Sequence, residues 1–214
     1  MDNNQLWVVK IGGSLLGSAE LPHWLELLAK HSKGRLVVVP GGGVFADAVR
    51  TAQGLTGIDD ALAHELALLA MDQFGLLLAG MRPGFVTAAS ELELAERGWQ
   101  HQAMVWLPSK MVLADASVEQ NWQVSSDSLS AWLANKLEAD QLLLVKSKPL
   151  ETYQQAQGSP GPRLLADGVI DGRLLDCIAG QSYQTSVISK GDYALFAQGF
   201  SAQLLQEKAL IRLA

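Results

Sequence analysis

Short apolar runs alternate with longer amphipathic stretches along this chain, and that alternation predicts its elements. Leu6 to Ile11 and Arg35 to Val39 are β-rich runs that each lead into glycines, the pattern of strands buried on both faces. Between them Leu21, Trp24, Leu25 and Leu28 recur at i, i+3, i+4 and i+7 ahead of Gly34, which predicts an amphipathic helix and its stop. Two strands joined through a helix read as a parallel βαβ unit. Val44, Phe45, Ala48 and Val49 then share a helical face up to Gly54, and Asp59 or Asp60 is placed to cap a longer helix running to about Gln73.

Further along, the pattern predicts a strand near Phe85 to Thr87, a short helix from Glu91 to Arg97, and strands near Ala103 to Leu107 and Met111 to Leu113. Ser125-Ser126-Asp127 precedes a helix with Leu129, Trp132, Leu133 and Leu137 on one face, and Gln141 to Val145 is another buried strand ending at Lys146. Ser147 to Pro162, rich in Pro, Gly, Gln and Ser, reads as an exposed loop, and terminal strands are expected at Ser186 to Ser189 and Ala209 to Leu213. The expected fold class is α/β: a three-layer α/β/α sandwich around a mostly parallel open sheet of roughly eight strands, formed by one domain over residues 1–214.

Composition narrows the functions this fold can carry. With 214 residues, 49% apolar and 18% charged, the chain can bury a sizeable core of its own. Its formal charge of −6 is spread along the sequence without a basic stripe, which argues against nucleic acid as a partner and for anions bound at local sites. The single Cys177 excludes an internal disulfide or a multi-cysteine zinc site and fits a reducing compartment. Met1 to Asn4 lacks a positively charged leader start, and no apolar stretch approaches the roughly 20 residues that span a bilayer. A cytoplasmic protein with no membrane partner is therefore expected.

In such a sheet, ligands collect beyond the carboxyl ends of the strands, where helix N-termini expose unpaired N–H groups. Gly12-Gly13 and Gly41-Gly42-Gly43 both fall there, on consecutive parallel strands. Lys10 follows apolar residues and immediately precedes the first cluster, a costly place for a charge unless an anion meets it. Gly41 to Ala46 also satisfies the G-x-G-x-x-A dinucleotide spacing, but the carboxylates at the required separation, Asp59 and Asp60, open a helix instead of closing a strand. Gly12 to Gly17 has the G-x-x-x-x-G spacing without the lysine that would follow in a nucleotide P-loop.

The order Val-Val-Lys10-Ile-Gly12-Gly13-Ser14, then Val-Val-Val-Pro-Gly41-Gly42-Gly43, then Ser126-Asp127 opening a helix before Leu-Leu-Leu-Val-Lys146, resembles the amino acid kinase family of acetylglutamate, aspartate, uridylate and isopentenyl phosphate kinases. Ala63-His64 through Asp72-Gln73 and Ser125 to Leu129 look most like its (5-(aminomethyl)furan-3-yl)methyl phosphate kinase branch, which serves cofactor biosynthesis. The resemblance implies phosphoryl transfer from ATP, with magnesium (Mg2+), to a small acceptor that is itself a phosphate monoester, and assembly as a homodimer or larger homo-oligomer. It makes residues 1–120 the acceptor-side lobe and 121–214 the nucleotide-side lobe.

Residue by residue, the resemblance gives Lys10 the transferring phosphoryl, gives Asp127 the task of holding catalytic lysines, and makes Lys146 the second such lysine, with Lys190 its rival. Gly12, Gly13, Gly41, Gly42 and Gly43 match backbone donors to phosphate, and Ser14, Arg50, His64 and Ser126 fall on the acceptor side. Lys146, Ser147, Asp167, Gly168 and Lys190 fall on the nucleotide side, and no protein metal ligands are implied. Read as chemistry alone, Ser125 to Asp127 is also a good helix cap, Lys146 also suits a solvated strand end, and Arg50 offers a bidentate fork for a phosphate. His64 and Asp72 lie two helical turns apart on one face, in reach of an acceptor amine or of water. The chain departs from the family in lacking the Gly-Thr pair before the final strand, and Lys146-Ser147-Lys148-Pro149 replaces the common aspartate-containing turn. Those departures motivate an alternative, a nucleotide or phosphometabolite sensor; a uridylate- or acetylglutamate-type kinase is another.

Overall fold

The computed structural model describes residues 5–154, 159–207 and 211–213. Its strands β1 (Trp7–Ile11), β2 (Leu36–Pro40), β3 (Phe85–Ala88), β4 (Ala103–Trp106), β5 (Gln141–Lys146), β6 (Gln184–Ser189) and β7 (Ile211–Leu213) form one sheet in the order β3-β4-β2-β1-β5-β6-β7. All pairings are parallel except β6 with β7. The described sheet thus has seven strands where roughly eight are expected. The difference is Met111 to Leu113, which lies in helix α5 (Ser109–Leu113), started by Pro108 and capped by the carboxylate of Asp72 on Ser109. Three apolar residues in a row do not distinguish a strand from a helical turn. The expected strand from Ala209 begins outside the described residues.

The other helices are α1 (Glu20–His31), α2 (Gly43–Thr56), α3 (Asp60–Met81), α4 (Glu91–Trp99), α6 (Ser126–Lys136), α7 (Glu151–Gln154), α8 (Gly161–Ala166), α9 (Leu174–Ile178) and α10 (Ala202–Glu207). The expected 147–162 loop therefore contains α7 and the start of α8, and its residues 155–158 lie outside the described set, as do positions 1–4. Every residue of β1, β2 and β5 is buried, as expected of strands covered on both faces. Alternation sorts them into two cores. Trp7, Val9 and Ile11 pack with Leu21, Trp24, Leu25 and Leu28 of α1, whereas Val8, Val37, Leu142 and Leu144 pack with Leu129, Leu133 and Ala134 of α6.

Helix α3 runs eight residues past its expected end at Gln73, through Gly75 and Gly80. Gly75 is not a breaker there: a Cβ at that position would lie 2.9 Å from Leu107 and 3.2 Å from Pro40, so glycine lets α3 cross close over the sheet. At 22 residues α3 is long and apolar enough to cross a membrane by length and composition alone, contrary to the expectation that no such stretch exists. Phe74 and Leu78 on it are nevertheless packed into the sheet core.

The chain leaves β1 toward β2 on one side, while β5 adds to its other edge. Connections therefore diverge on either side of β1, and the crevice beyond its carboxyl end is the topological switch point where α/β sheets bind ligands.

Candidate active site

Period-two alternation decides where the strand-end lysines point. Lys10 shares the α6 face of β1 with Val8, and Lys146 shares the same face of β5 with Leu142 and Leu144. Lys10 sits opposite Leu144, so Lys146 lies two residues further along the neighbouring strand and beside it. Both lysines are 7% exposed, and an isolated ammonium in such a place is unstable.

Asp127 resolves this. It stands in the first turn of α6, 3% exposed, with Lys10 Nζ 3.0 Å from Oδ1 and Lys146 Nζ donating to Oδ2 at 2.5 Å. Burial alone would push its carboxyl up, but the charges of Lys10 and Lys146 outweigh burial and hold it at about 2. Burial and the charge of Lys10 push Lys146 down to about 8, against the pull of Asp127. The result is one permanent anion binding two cations at the switch point.

Asp127 is free for this because another residue caps its helix. The Asp171 carboxylate accepts from Ser125 N at 3.0 Å, Ser125 Oγ at 2.7 Å, Ser128 N at 2.9 Å and Ser128 Oγ. Its backbone N–H donates to Asp127 Oδ2 at 3.2 Å. Ser125 makes no side-chain cap of its own, so the cap expected within Ser125 to Asp127 is supplied instead from 44 residues away. Sequence reasoning missed Asp171.

The two glycine loops touch without side chains between them. A Cβ on Gly13 would lie 2.1 Å from Gly43 N, and one on Gly41 would lie 2.4 Å from Gly13 N. Gly43 holds φ at +54°, a conformation glycine adopts without strain. Helix α2 starts at Gly43 with no side-chain cap, so its first N–H groups stay available to an anion. A Cβ on Gly12 would lie 3.4 Å from Lys10 Nζ, which places that ammonium against the first loop.

The two glycine loops and the start of α6 border a cavity of about 340 Å³, lined by Gly13, Ser14, Gly41, Gly42, Gly43, Arg50, His64 and Ser126, among others. Trp122, which sequence reasoning also missed, closes one side: Arg50 lies 4.4 Å over its ring and its indole N–H donates to Gln53 Oε1 at 2.7 Å. Arg50 also pairs with Asp47 at 2.9 Å. His64 is buried in the wall, whereas Asp72, expected beside it, turns away to Ser109 and does not line the cavity. Burial pushes the Asp72 carboxyl up.

The residues expected on the nucleotide side are spread out. Ser14 Oγ donates to Ser147 Oγ at 2.9 Å, bridging the first glycine loop to the turn after β5. Lys148 Nζ donates to the Asp167 carbonyl at 3.0 Å and Tyr153 donates to its carboxylate at 2.6 Å, with Gly168 following at φ +60°. Lys190 pairs with Glu20 at 3.0 Å, so Lys146 and not Lys190 shares Asp127.

Residues 5–149 match the amino acid kinase family. The chain belongs to that family. It is 34% identical over 139 residues to the [5-(aminomethyl)furan-3-yl]methyl phosphate kinase of Methanocaldococcus jannaschii, a stretch that covers 64% of this chain and 63% of that relative. Among solved structures, the uridylate kinase of Archaeoglobus fulgidus superposes with a TM-score of 0.64 at 18% identity, over 86% of this chain and 90% of that one. The UMP kinase of Bacillus anthracis superposes with a TM-score of 0.63 at 14% identity, over 87% and 88%. At those identities the likeness is one of fold.

Proposed function

We propose that this chain transfers the γ-phosphoryl group of ATP to a small phosphate monoester, giving a diphosphate ester, and that an aminomethylfuran methyl phosphate is its acceptor. The observation that carries this reading is the Lys10–Asp127–Lys146 pair of ion pairs beside the open start of α2. The amino acid kinase membership and the 34% identical relative support it.

An oxygen of the acceptor phosphate attacks the γ-phosphorus, a new P–O–P link forms, and the bond to the β–γ bridging oxygen breaks with its electron pair leaving on ADP. Negative charge spreads over the γ-oxygens, so catalysis is a matter of positioned positive charge. Lys10 and Lys146 supply it, and Asp127 fixes both lysines while staying ionised. The N–H groups of Gly12, Gly13 and Gly41 to Gly43 hold phosphate oxygens, with Ser14, Ser126 and Arg50 around the acceptor. Ser147, Asp167, Gly168 and Lys190 mark the nucleotide side, in a division of labour between residues 1–120 and 121–214.

Among the described residues no group of three His, Cys, Asp or Glu is arranged to hold a metal. Magnesium, which such sites take up largely through nucleotide phosphates, would neutralise the β- and γ-oxygens when bound. Exposed Leu62, Leu69 and Leu76, one heptad apart on α3, support a homodimer or larger homo-oligomer. The single Cys177 supports a cytoplasmic setting.

The test is incubation of the purified protein with ATP, magnesium and the aminomethylfuran phosphate, followed by phosphorus NMR. A diphosphate ester should appear, and Lys10→Ala should slow its formation by roughly 10²–10³-fold. Tight ATP binding with no product from any phosphate monoester would instead favour the sensor.

A further inference from the structure

The cavity wall across from the glycine loops carries a polar group that phosphoryl transfer does not use. His64, on the first turns of α3, is 4% exposed, and its Nε2 is buried with no hydrogen-bond partner. A buried polar nitrogen left unpaired destabilises the empty site, and a ligand that pairs it removes that cost.

The chemistry of this nitrogen follows from what the rest of the ring does. Burial lowers the proton affinity of the imidazole, and a hydrogen bond with the backbone of Asn121 raises it. A backbone group that favours the protonated ring is a carbonyl accepting an N–H. Because Nε2 has no partner, the donating nitrogen is Nδ1, and the neutral ring then carries its lone pair on Nε2. The cavity wall therefore holds a buried acceptor on α3, among apolar Ala67, Leu68 and Met71, and Trp122 borders the same cavity.

We propose that the phosphoryl acceptor carries a hydrogen-bond donor, an ammonium or a hydroxyl, on the end remote from its phosphate, and that His64 Nε2 receives it. This rests on the kinase reading and adds to it the residue that selects the acceptor. A phosphate ester whose far end is purely hydrocarbon would leave Nε2 unpaired and is rejected on that ground, since sites built to bond a donor discriminate strongly against analogues without one.

Three acceptors on one skeleton test the proposal: the aminomethyl-, hydroxymethyl- and methyl-substituted furan methyl phosphates. Their kcat/KM values are measured with ATP, and their affinities by calorimetry. On the wild-type chain the methyl compound should be worse than the better donor by roughly 10²-fold or more, and His64→Leu should reduce that gap to less than about tenfold. His64→Asn, a milder change, should reduce it in the same direction. The order of the aminomethyl and hydroxymethyl compounds identifies the donor. Equal kcat/KM for all three on the wild type, or a gap that survives in both variants, overturns the proposal while leaving the kinase reading intact. If no compound is turned over, the kinase reading fails and calorimetry decides on His64: a methyl compound that binds as well as the others, or no binding by any, overturns it.

Discussion

Two helices begin at the same cavity, and their first turns are built in opposite ways. Helix α2 starts in glycines with no side-chain cap, so its backbone donors face the cavity unsatisfied. Helix α6 starts in Ser125, Ser126 and Asp127, and there Asp171 reaches in to take the backbone N–H groups of Ser125 and Ser128. One N-terminus carries no side-chain cap; the other is capped from outside, which leaves its own acid to pair with Lys10 and Lys146.

Damage to the two ends should separate accordingly. The largest effect is expected from Asp127→Ala, which leaves two ammonium groups buried without their anion. A loss of about 3–5 kcal/mol in denaturant unfolding is predicted, together with loss of turnover. The same pair sets acid stability. The carboxyl titrates near 3.8 when free and near 2 when folded, so its contribution is complete above 3.8 and disappears as pH falls through about 2. Acid unfolding of Asp127→Asn should lack that component.

Next comes Gly13→Ala, whose methyl group has no space against Gly43. It should cost about 1–3 kcal/mol in unfolding and abolish acceptor turnover, because the open end of α2 is displaced. Asp171→Ala attacks the closed end. Its predicted cost is about 0.5–2 kcal/mol, the value of a helix cap, with kcat lowered and the KM for the acceptor nearly unchanged. A large rise in that KM would erase the distinction between the two ends. The smallest effect is one of pH: with Lys146 at about 8, kcat/KM should decline as pH rises through that value, and Lys146→Arg should remove the decline.

Features that depend on neighbours in sequence were legible before the structure. The buried strands, the glycine clusters and the strand-end placement of Lys10 and Lys146 all follow from local periodicity, and they locate the crevice. What escaped depends on contacts across the fold. Asp171 lies in a short connection with no periodic signal, and Ser125 to Asp127 already resembled a self-sufficient cap. Trp122 sits ahead of α6 in a stretch of turns, and only the stacking of Arg50 on it shows that it belongs to the cavity. Asp72 had the helical spacing to join His64, but the start of α5, misread as a strand, claims it. The run of α3 past Gln73 escaped because the value of Gly75 lies in its closeness to Leu107 and Pro40.

The contact between Gly13, Gly41 and Gly43 also constrains how the protein can change its preferences. Since no side chain fits between the two loops, Gly13, Gly41 and Gly43 offer no positions at which a substitution could reshape the cavity. Variation is left to the side chains of the lining, among which Ala67, Leu68, Met71 and Trp122 border the same space. A library built to accept larger or differently substituted rings should randomise those four positions and leave the glycines alone, and descendants of this chain with other acceptors should differ along α3 and at residue 122 first.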